Sequence, residues 1–266
     1  MKKILLLSVC LFVCWALFAQ QRIKVACVGN SITYGTGLAD RATQSYPVQL
    51  QKLLGEHYEV ENFGKPGATL LNQGHRPYTR QEEYRKALDF AGDIVVIHLG
   101  INDTDPRDWP NYRDSFVTDY LNLMDTFRKA NPDVRIIIAR MTPIADRHNR
   151  FLSGTRDWHG EMQTAIETVA HYAGVQLIDF REPLYPYPFL LPDAVHPTAE
   201  GAAIMAKTVY SAITGDYGGL KLSPLYMDNM VLQRDTPLLI HGTANAGEQV
   251  TVRIDHQQWI TKAALD

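Results

Sequence analysis

Short apolar runs recur along the chain as far as Thr214, and amphipathic stretches separate them. The first run is Ile23-Lys24-Val25-Ala26-Cys27-Val28, closed by Gly29 and then by polar residues. That is the pattern of a buried strand emptying into a tight turn. Tyr58 to Phe63 is the second run. Asp93 to Leu99 is almost continuously apolar and ends at Gly100, as in a sheet covered on both faces. Val134 to Ala139 and Val175 to Phe180 complete the set. Between these runs apolar residues return every three or four positions: Leu50, Leu53 and Leu54; Phe116, Tyr120, Leu123, Met124 and Phe127; Met162, Ala165, Ile166, Val169 and Ala173; Ala202, Met205, Val209 and Ile213. This period is helical, and Gln81 to Phe90 reads as a further helix. Ser45 suits an N-cap with Pro47 in the first turn, and Thr198 suits the N-cap of the last helix. Strands alternating with helices predict an α/β fold over residues 22–214: a doubly wound, five-stranded parallel sheet flanked by helices.

Beyond Thr214 the pattern changes. Residues 215–221, with Gly215-Asp216-Tyr217-Gly218-Gly219, read as a linker. Residues 222–266 hold short β-like runs, Pro237 to Gly242 and Gln249 to Ile254, without a helical period. A closed sandwich needs about 100 residues, so this tail either packs on the first domain or belongs to a fragment of a longer protein, and the fragment is the expectation. At the other end, Lys2-Lys3, an apolar run from Ile4 to Phe18 and then Ala19 read as a secretory signal peptide over residues 1–19, cut after Ala19. The run is short for a membrane span of ~20 residues. The expected chain is therefore secreted or periplasmic, without stable membrane insertion.

Composition narrows the function classes. With 266 residues, 45% of them hydrophobic, the chain can bury a sizeable core. A net charge of −3 and the lack of any basic run give no electrostatic case for a nucleic-acid partner. Nine histidines are scattered without an H-x-x-x-H or H-E-x-x-H pair, so no metal is expected. Of three cysteines, Cys10 and Cys14 lie in the signal, and Cys27 fits a buried strand better than a reactive site.

The polar residues just past the strand ends carry the candidate chemistry, because loops on that edge of an open parallel sheet gather ligands. Ser31 follows the first strand, Gly64 and Gly67 the second, Asn102 the third, and Asp193 and His196 the fifth. Acyl transfer by serine needs a base, an acid that orients the base, and donors for the oxyanion. The G-x-S-x-G elbow and the G-x-G-x-x-G phosphate loop are both absent. Each residue also has an ordinary structural use. Ser31 could satisfy a turn, Gly64 and Gly67 could supply positive φ, Asn102 could make an Asx-turn, and Asp193 could cap. Asp103 reads as a structural hydrogen-bonder, and His98, inside an apolar strand, as a satisfied core histidine.

Taken together, Gly29-Asn30-Ser31, Asn62-Phe63-Gly64-Lys65-Pro66-Gly67, Gly100-Ile101-Asn102-Asp103 and Asp193-Ala194-Val195-His196-Pro197 resemble the four motif blocks of the SGNH (GDSL-like) hydrolases, in the family's order. The resemblance spans about Ile23 to Ile213. It implies that Ser31 is the nucleophile, His196 the base and Asp193 its orienter. It further implies an oxyanion hole made by the N–H groups of Ser31 and Gly67 and the side-chain amide of Asn102. The mechanism needs no cofactor. Asn30 stands where the family usually has Asp. The stretches from Leu222 to Arg234 and Ala246 to Val252 are similar to the opening β-domain of sialate O-acetylesterases. The expected enzyme is thus a secreted serine esterase that removes O-acetyl groups from an acetylated carbohydrate, sialate or another glycan. A lysophospholipase- or thioesterase-type acyl hydrolase and a catalytically dead glycan-binding module are the rival readings. His75, Arg76 and Tyr187, the last in the aromatic loop Tyr185 to Phe189, are the candidates for substrate contact.

Overall fold

The computed structural model describes residues 22–149, 155–223, 226, 230–231, 233 and 236–264. Five parallel strands form one sheet in the order β2-β1-β3-β4-β5. They are β1 (Ile23–Gly29), β2 (Tyr58–Gly64), β3 (Ile94–His98), β4 (Arg135–Arg140) and β5 (Gln176–Asp179). Val25, Ala26, Cys27 and Val28 are buried without a break, as is all of β3. Covered on both faces, such strands gain from apolar burial on each side, about 1.5–3 kcal/mol for a Val or Ile side chain. Burial pushes the Cys27 thiol up to about 12, which leaves it un-ionised and unreactive.

The helices are α1 (Ser31–Tyr34), α2 (Tyr46–Leu54), α3 (Glu82–Phe90), α4 (Phe116–Ala130), α5 (Thr155–Ala173) and α6 (Ala199–Thr214), with shorter helical turns between them. The face of α4 that packs inward carries Phe116, Tyr120, Leu123, Met124 and Phe127, as the periodicity predicts. Thr198 caps α6 by accepting from the Gly201 N–H at 3.2 Å. Ser45 stands at the N-cap of α2 with Pro47 in its first turn, but its side chain makes no capping bond, and its buried hydroxyl has no partner among the described residues. Here packing against the core displaces the capping role that the residue type suggests.

Because β1 lies between β2 and β3, the chain reverses its winding direction there, and loops from both sides open at the same edge. Close packing fixes that edge. A β-carbon on Gly64 would stand 2.2 Å from the Tyr34 backbone nitrogen, so only glycine lets the end of β2 lie against α1.

The tail forms two small antiparallel sheets, β6 (Lys221–Leu222) with β7 (Gly242–Thr243), and β8 (Gln249–Ile254) with β9 (Gln257–Lys262). Of the β-like run Pro237 to Gly242, among the described residues Gly242 lies in a paired strand, opposite Leu222, and the His241 carbonyl accepts the Ser223 N–H at 3.2 Å. Contacts to the tail run through the expected linker, 215–221. Lys221 already pairs with Thr243, and the Tyr217 and Gly219 N–H groups are held by Asn245 Oδ1 at 3.0 and 2.9 Å. The expected signal peptide lies outside the described residues. Among those residues no helix is long and apolar enough to cross a membrane.

Candidate active site

Gly29 ends β1, and Asn30 starts α1 by accepting the Ile32 N–H on its side-chain oxygen at 2.9 Å. Ser31 is therefore the first residue of a helical turn at the sheet edge, and it is 8% exposed. The buried Asn30 amide also donates to the His98 carbonyl at 3.4 Å. A carboxylate could make the first bond but not the second, because it has no proton to give that carbonyl.

Asp193 and His196 meet Ser31 from the loop before α6. Asp193 Oδ1 accepts the N–H groups of Val195 at 3.0 Å and His196 at 2.7 Å, which closes a one-turn loop. That turn brings Asp193 Oδ2 within 2.6 Å of His196 Nδ1. On the far side of the ring, Nε2 lies 2.8 Å from Ser31 Oγ. With the carboxylate accepting the Nδ1 proton, the tautomer assigned from this network leaves Nε2 as an acceptor facing the hydroxyl. Partial burial raises the Asp193 carboxyl, but the hydrogen bonds from His196 and Val195 outweigh it, and its pKa falls below the ordinary value.

On the loops tied to the serine turn, several donors are left over. Ala68 N–H closes a turn onto the Lys65 carbonyl at 3.0 Å, with Gly67 at φ +77°. Pro66 followed by glycine at positive φ is the residue order of a type II turn. Asn102 donates one amide hydrogen to the Ala68 carbonyl at 2.9 Å, which ties the loop after β3 to the loop after β2. The Lys65 N–H donates to the Gly29 carbonyl at 2.9 Å and ties that same loop to the serine turn. Among the described residues, the N–H groups of Ser31 and Gly67 and the second hydrogen of the Asn102 amide have no protein acceptor. Unpaired backbone donors of this kind need a partner from outside the protein.

Asp103 and His98 lie behind the site. The Asp103 carboxylate accepts the Leu70 and Leu71 N–H groups at 2.9 and 2.8 Å, which pins the loop after β2. Burial drives its pKa up to about 7 against the pull of those two bonds. His98 is buried as expected but only half satisfied. Nε2 accepts the Thr142 N–H at 3.3 Å, and Nδ1 has no partner among the described residues. Burial, helped by His159, lowers its pKa to about 3, so the ring stays neutral.

The three residues expected to touch substrate fall in different settings. The His75 ring is held by the buried Asp108, Nδ1 to Oδ2 at 2.6 Å, with the His75 N–H on Oδ1 at 2.9 Å. The Arg76 guanidinium donates to the Pro66 carbonyl at 3.0 Å. Tyr187 is 45% exposed and stands edge-on to Phe189, with ring centroids 5.9 Å apart. Asp108 and the second bond of Asn30 escaped the sequence reading. An aspartate 33 residues from its histidine carries no local signal.

The model of the GDSL-like Lipase/Acylhydrolase family matches residues 27–204, a span that holds Ser31, Gly67, Asn102, Asp193 and His196 together. The chain belongs to this family. The acetylxylan esterase of Xylanibacter ruminicola is 33% identical over 215 residues, 73% of this chain. The chain spans 44% of that relative's length. Solved structures share the GDSL-like fold. An acetyl xylan esterase superposes with a TM-score of 0.56 at 22% identity, covering 72% of this chain and 100% of its own. A carbohydrate acetylesterase from Sinorhizobium meliloti does so with a TM-score of 0.56 at 18% identity, covering 73% and 98%.

Two further features frame this GDSL-like site. It opens outward: the Asp193 side chain is 54% exposed and that of His196 20%. Beside it lies a cavity of about 630 Å³ that does not include the serine or its histidine. Arg140, Gln163, Arg181 and Tyr185 line it, together with Ala145 and Leu191. Ala145 N–H donates to the Ala194 carbonyl at 2.8 Å, so the cavity wall and the Asp193–His196 turn are joined.

Proposed function

We propose that the chain is a serine esterase that removes O-acetyl groups from carbohydrate. The observation that carries this reading is the Ser31 Oγ to His196 Nε2 approach of 2.8 Å, with Asp193 on the opposite ring nitrogen. In this reading Ser31 Oγ attacks the acetyl carbonyl carbon while its proton passes to His196 Nε2. The carbonyl electron pair moves onto the oxygen, where the N–H groups of Ser31 and Gly67 and the amide of Asn102 receive it. Collapse breaks the bond to the sugar oxygen, which leaves with the proton from His196. Water then repeats the sequence on acetyl-Ser31 and releases acetate.

Two relatives bear names of acetyl esterases that act on xylan, and a third that of a carbohydrate acetylesterase, which supports an acetylated polysaccharide as the substrate class. The wording of the tail supports a sialate-type substrate instead. The open setting of the triad suits a polymer, and Tyr187 is placed in this reading as a platform for a sugar ring. Export after cleavage at Ala19 belongs to the same proposal, and so does a longer two-module protein.

Acetate release from acetylated xylan, from O-acetylated sialic acid and from p-nitrophenyl acetate tests the proposal, with the octanoyl ester as counter-probe. Acetyl esters should turn over and the octanoyl ester should be poor. Preference for the octanoyl ester would favour a lipase-like acyl hydrolase. A chain inert on every ester would be a binding module.

A further inference from the structure

The Pro66–Gly67 peptide has two ends, and only one of them is spoken for. Its carbonyl accepts from Arg76 Nη1 at 3.0 Å, while its N–H has no acceptor among the described residues. In a trans peptide these two groups lie in one rigid plane and point in opposite directions within it. The central peptide of a β-turn is also the one that flips when type II becomes type I, exchanging the directions of its C=O and N–H. A bond on the Pro66 carbonyl therefore fixes where the Gly67 N–H points. It also polarises the amide and makes that N–H a better donor, the more so because the group bound to the carbonyl carries a permanent charge.

Arg76 is built to hold this pose although it faces solvent. Its own carbonyl accepts the Thr69 N–H at 2.8 Å, and Tyr78 N–H returns to the Thr69 carbonyl at 2.9 Å. On the other side His75 is clamped to Asp108 through both its backbone N–H and its ring. The guanidinium then lies over the glycine. A β-carbon on Gly67 would stand 3.2 Å from Nη1, 3.6 Å from Cδ and 3.7 Å from Cζ.

We propose that Arg76 is a positioning residue of the oxyanion hole, which orients and strengthens the Gly67 N–H through the Pro66 carbonyl. This rests on the serine-esterase reading above, and it replaces the expectation that Arg76 touches substrate.

The test compares Arg76→Ala and Arg76→Lys with the parent on p-nitrophenyl acetate, after counting active serine by the stoichiometry of fluorophosphonate labelling. For Arg76→Ala kcat per labelled serine should fall about 10- to 100-fold, below the ~10²–10³ for losing a whole donor. KM should stay within about threefold and the pH profile should not move. Arg76→Lys, which keeps a charged donor, should recover part of kcat, and added guanidinium should recover part of kcat for Arg76→Ala. An unchanged kcat would overturn the proposal. So would a rise in KM alone, the mark of a substrate contact, or a loss explained wholly by fewer labelled serines. A parent that does not label at Ser31 would instead overturn the esterase reading itself.

Discussion

His196 and His75 are held in nearly the same way. Each ring places Nδ1 2.6 Å from an aspartate Oδ2, and each histidine donates its backbone N–H to the other oxygen of that carboxylate. The partners differ in setting. Asp193 is three residues away on an open turn, whereas Asp108 is 33 residues away and 1% exposed. The far nitrogens differ more. Nε2 of His196 meets the Ser31 hydroxyl at 2.8 Å, while Nε2 of His75 has no partner among the described residues. An oriented imidazole is thus common to both. The hydroxyl at the first turn after β1 is what sets one pair apart as a candidate base, and the other serves to hold the loop that carries Arg76.

The sharpest way to break this contrast is Ser31→Ala. Hydrolysis of p-nitrophenyl acetate should drop by about 10⁴-fold or more with folding unchanged, and a variant as fast as the parent would end the argument. Next in size is Asp193→Asn, which leaves the turn in place but no longer fixes the tautomer. A loss in kcat of about 10³- to 10⁴-fold is expected. The matching change, Asp108→Asn, should cost less than about tenfold in kcat. It should remove about 1–3 kcal/mol of stability, read from denaturant unfolding, because a buried acceptor of two donors is altered. Equal rate losses in the two variants would show that the pairs are not different in kind.

A smaller, pH-dependent effect comes from Asp103, which is raised chiefly by burial and in part by the charge of Asp108. Its folded-state pKa of about 7 lies above its ordinary value of 3.8. The native state therefore holds a proton that the unfolded chain has already lost between these values. Stability should fall as pH rises from about 4 to 7 and level off above. Unfolding at pH 4.5 and pH 7.5 should show this slope in the parent and not in Asp103→Asn.

Much of the sheet was legible because β1 and β3 are apolar without alternation, and a continuous run has only a covered sheet to go to. The Asp193–His196 spacing was legible because a three-residue separation makes its own turn. Contacts between loops were not. The bond from Arg76 to Pro66, the bond from Asn30 to the His98 carbonyl and the clamp of Asp108 on His75 all depend on tertiary packing that no local pattern announces. The idle Ser45 hydroxyl and the half-paired His98 ring show the converse: residue type proposes a bond, and the surrounding core decides whether it forms.

The sealed sulfur of Cys27 has a practical consequence. From residue 22 onward the polypeptide has no other cysteine, and this one is wholly enclosed within β1. In a chain that starts at residue 22, a maleimide dye would find nothing to modify until Tyr187→Cys placed a lone handle on the aromatic loop. A chain that starts at residue 22 would thereby carry a single labelling position on the loop that precedes Asp193 and His196.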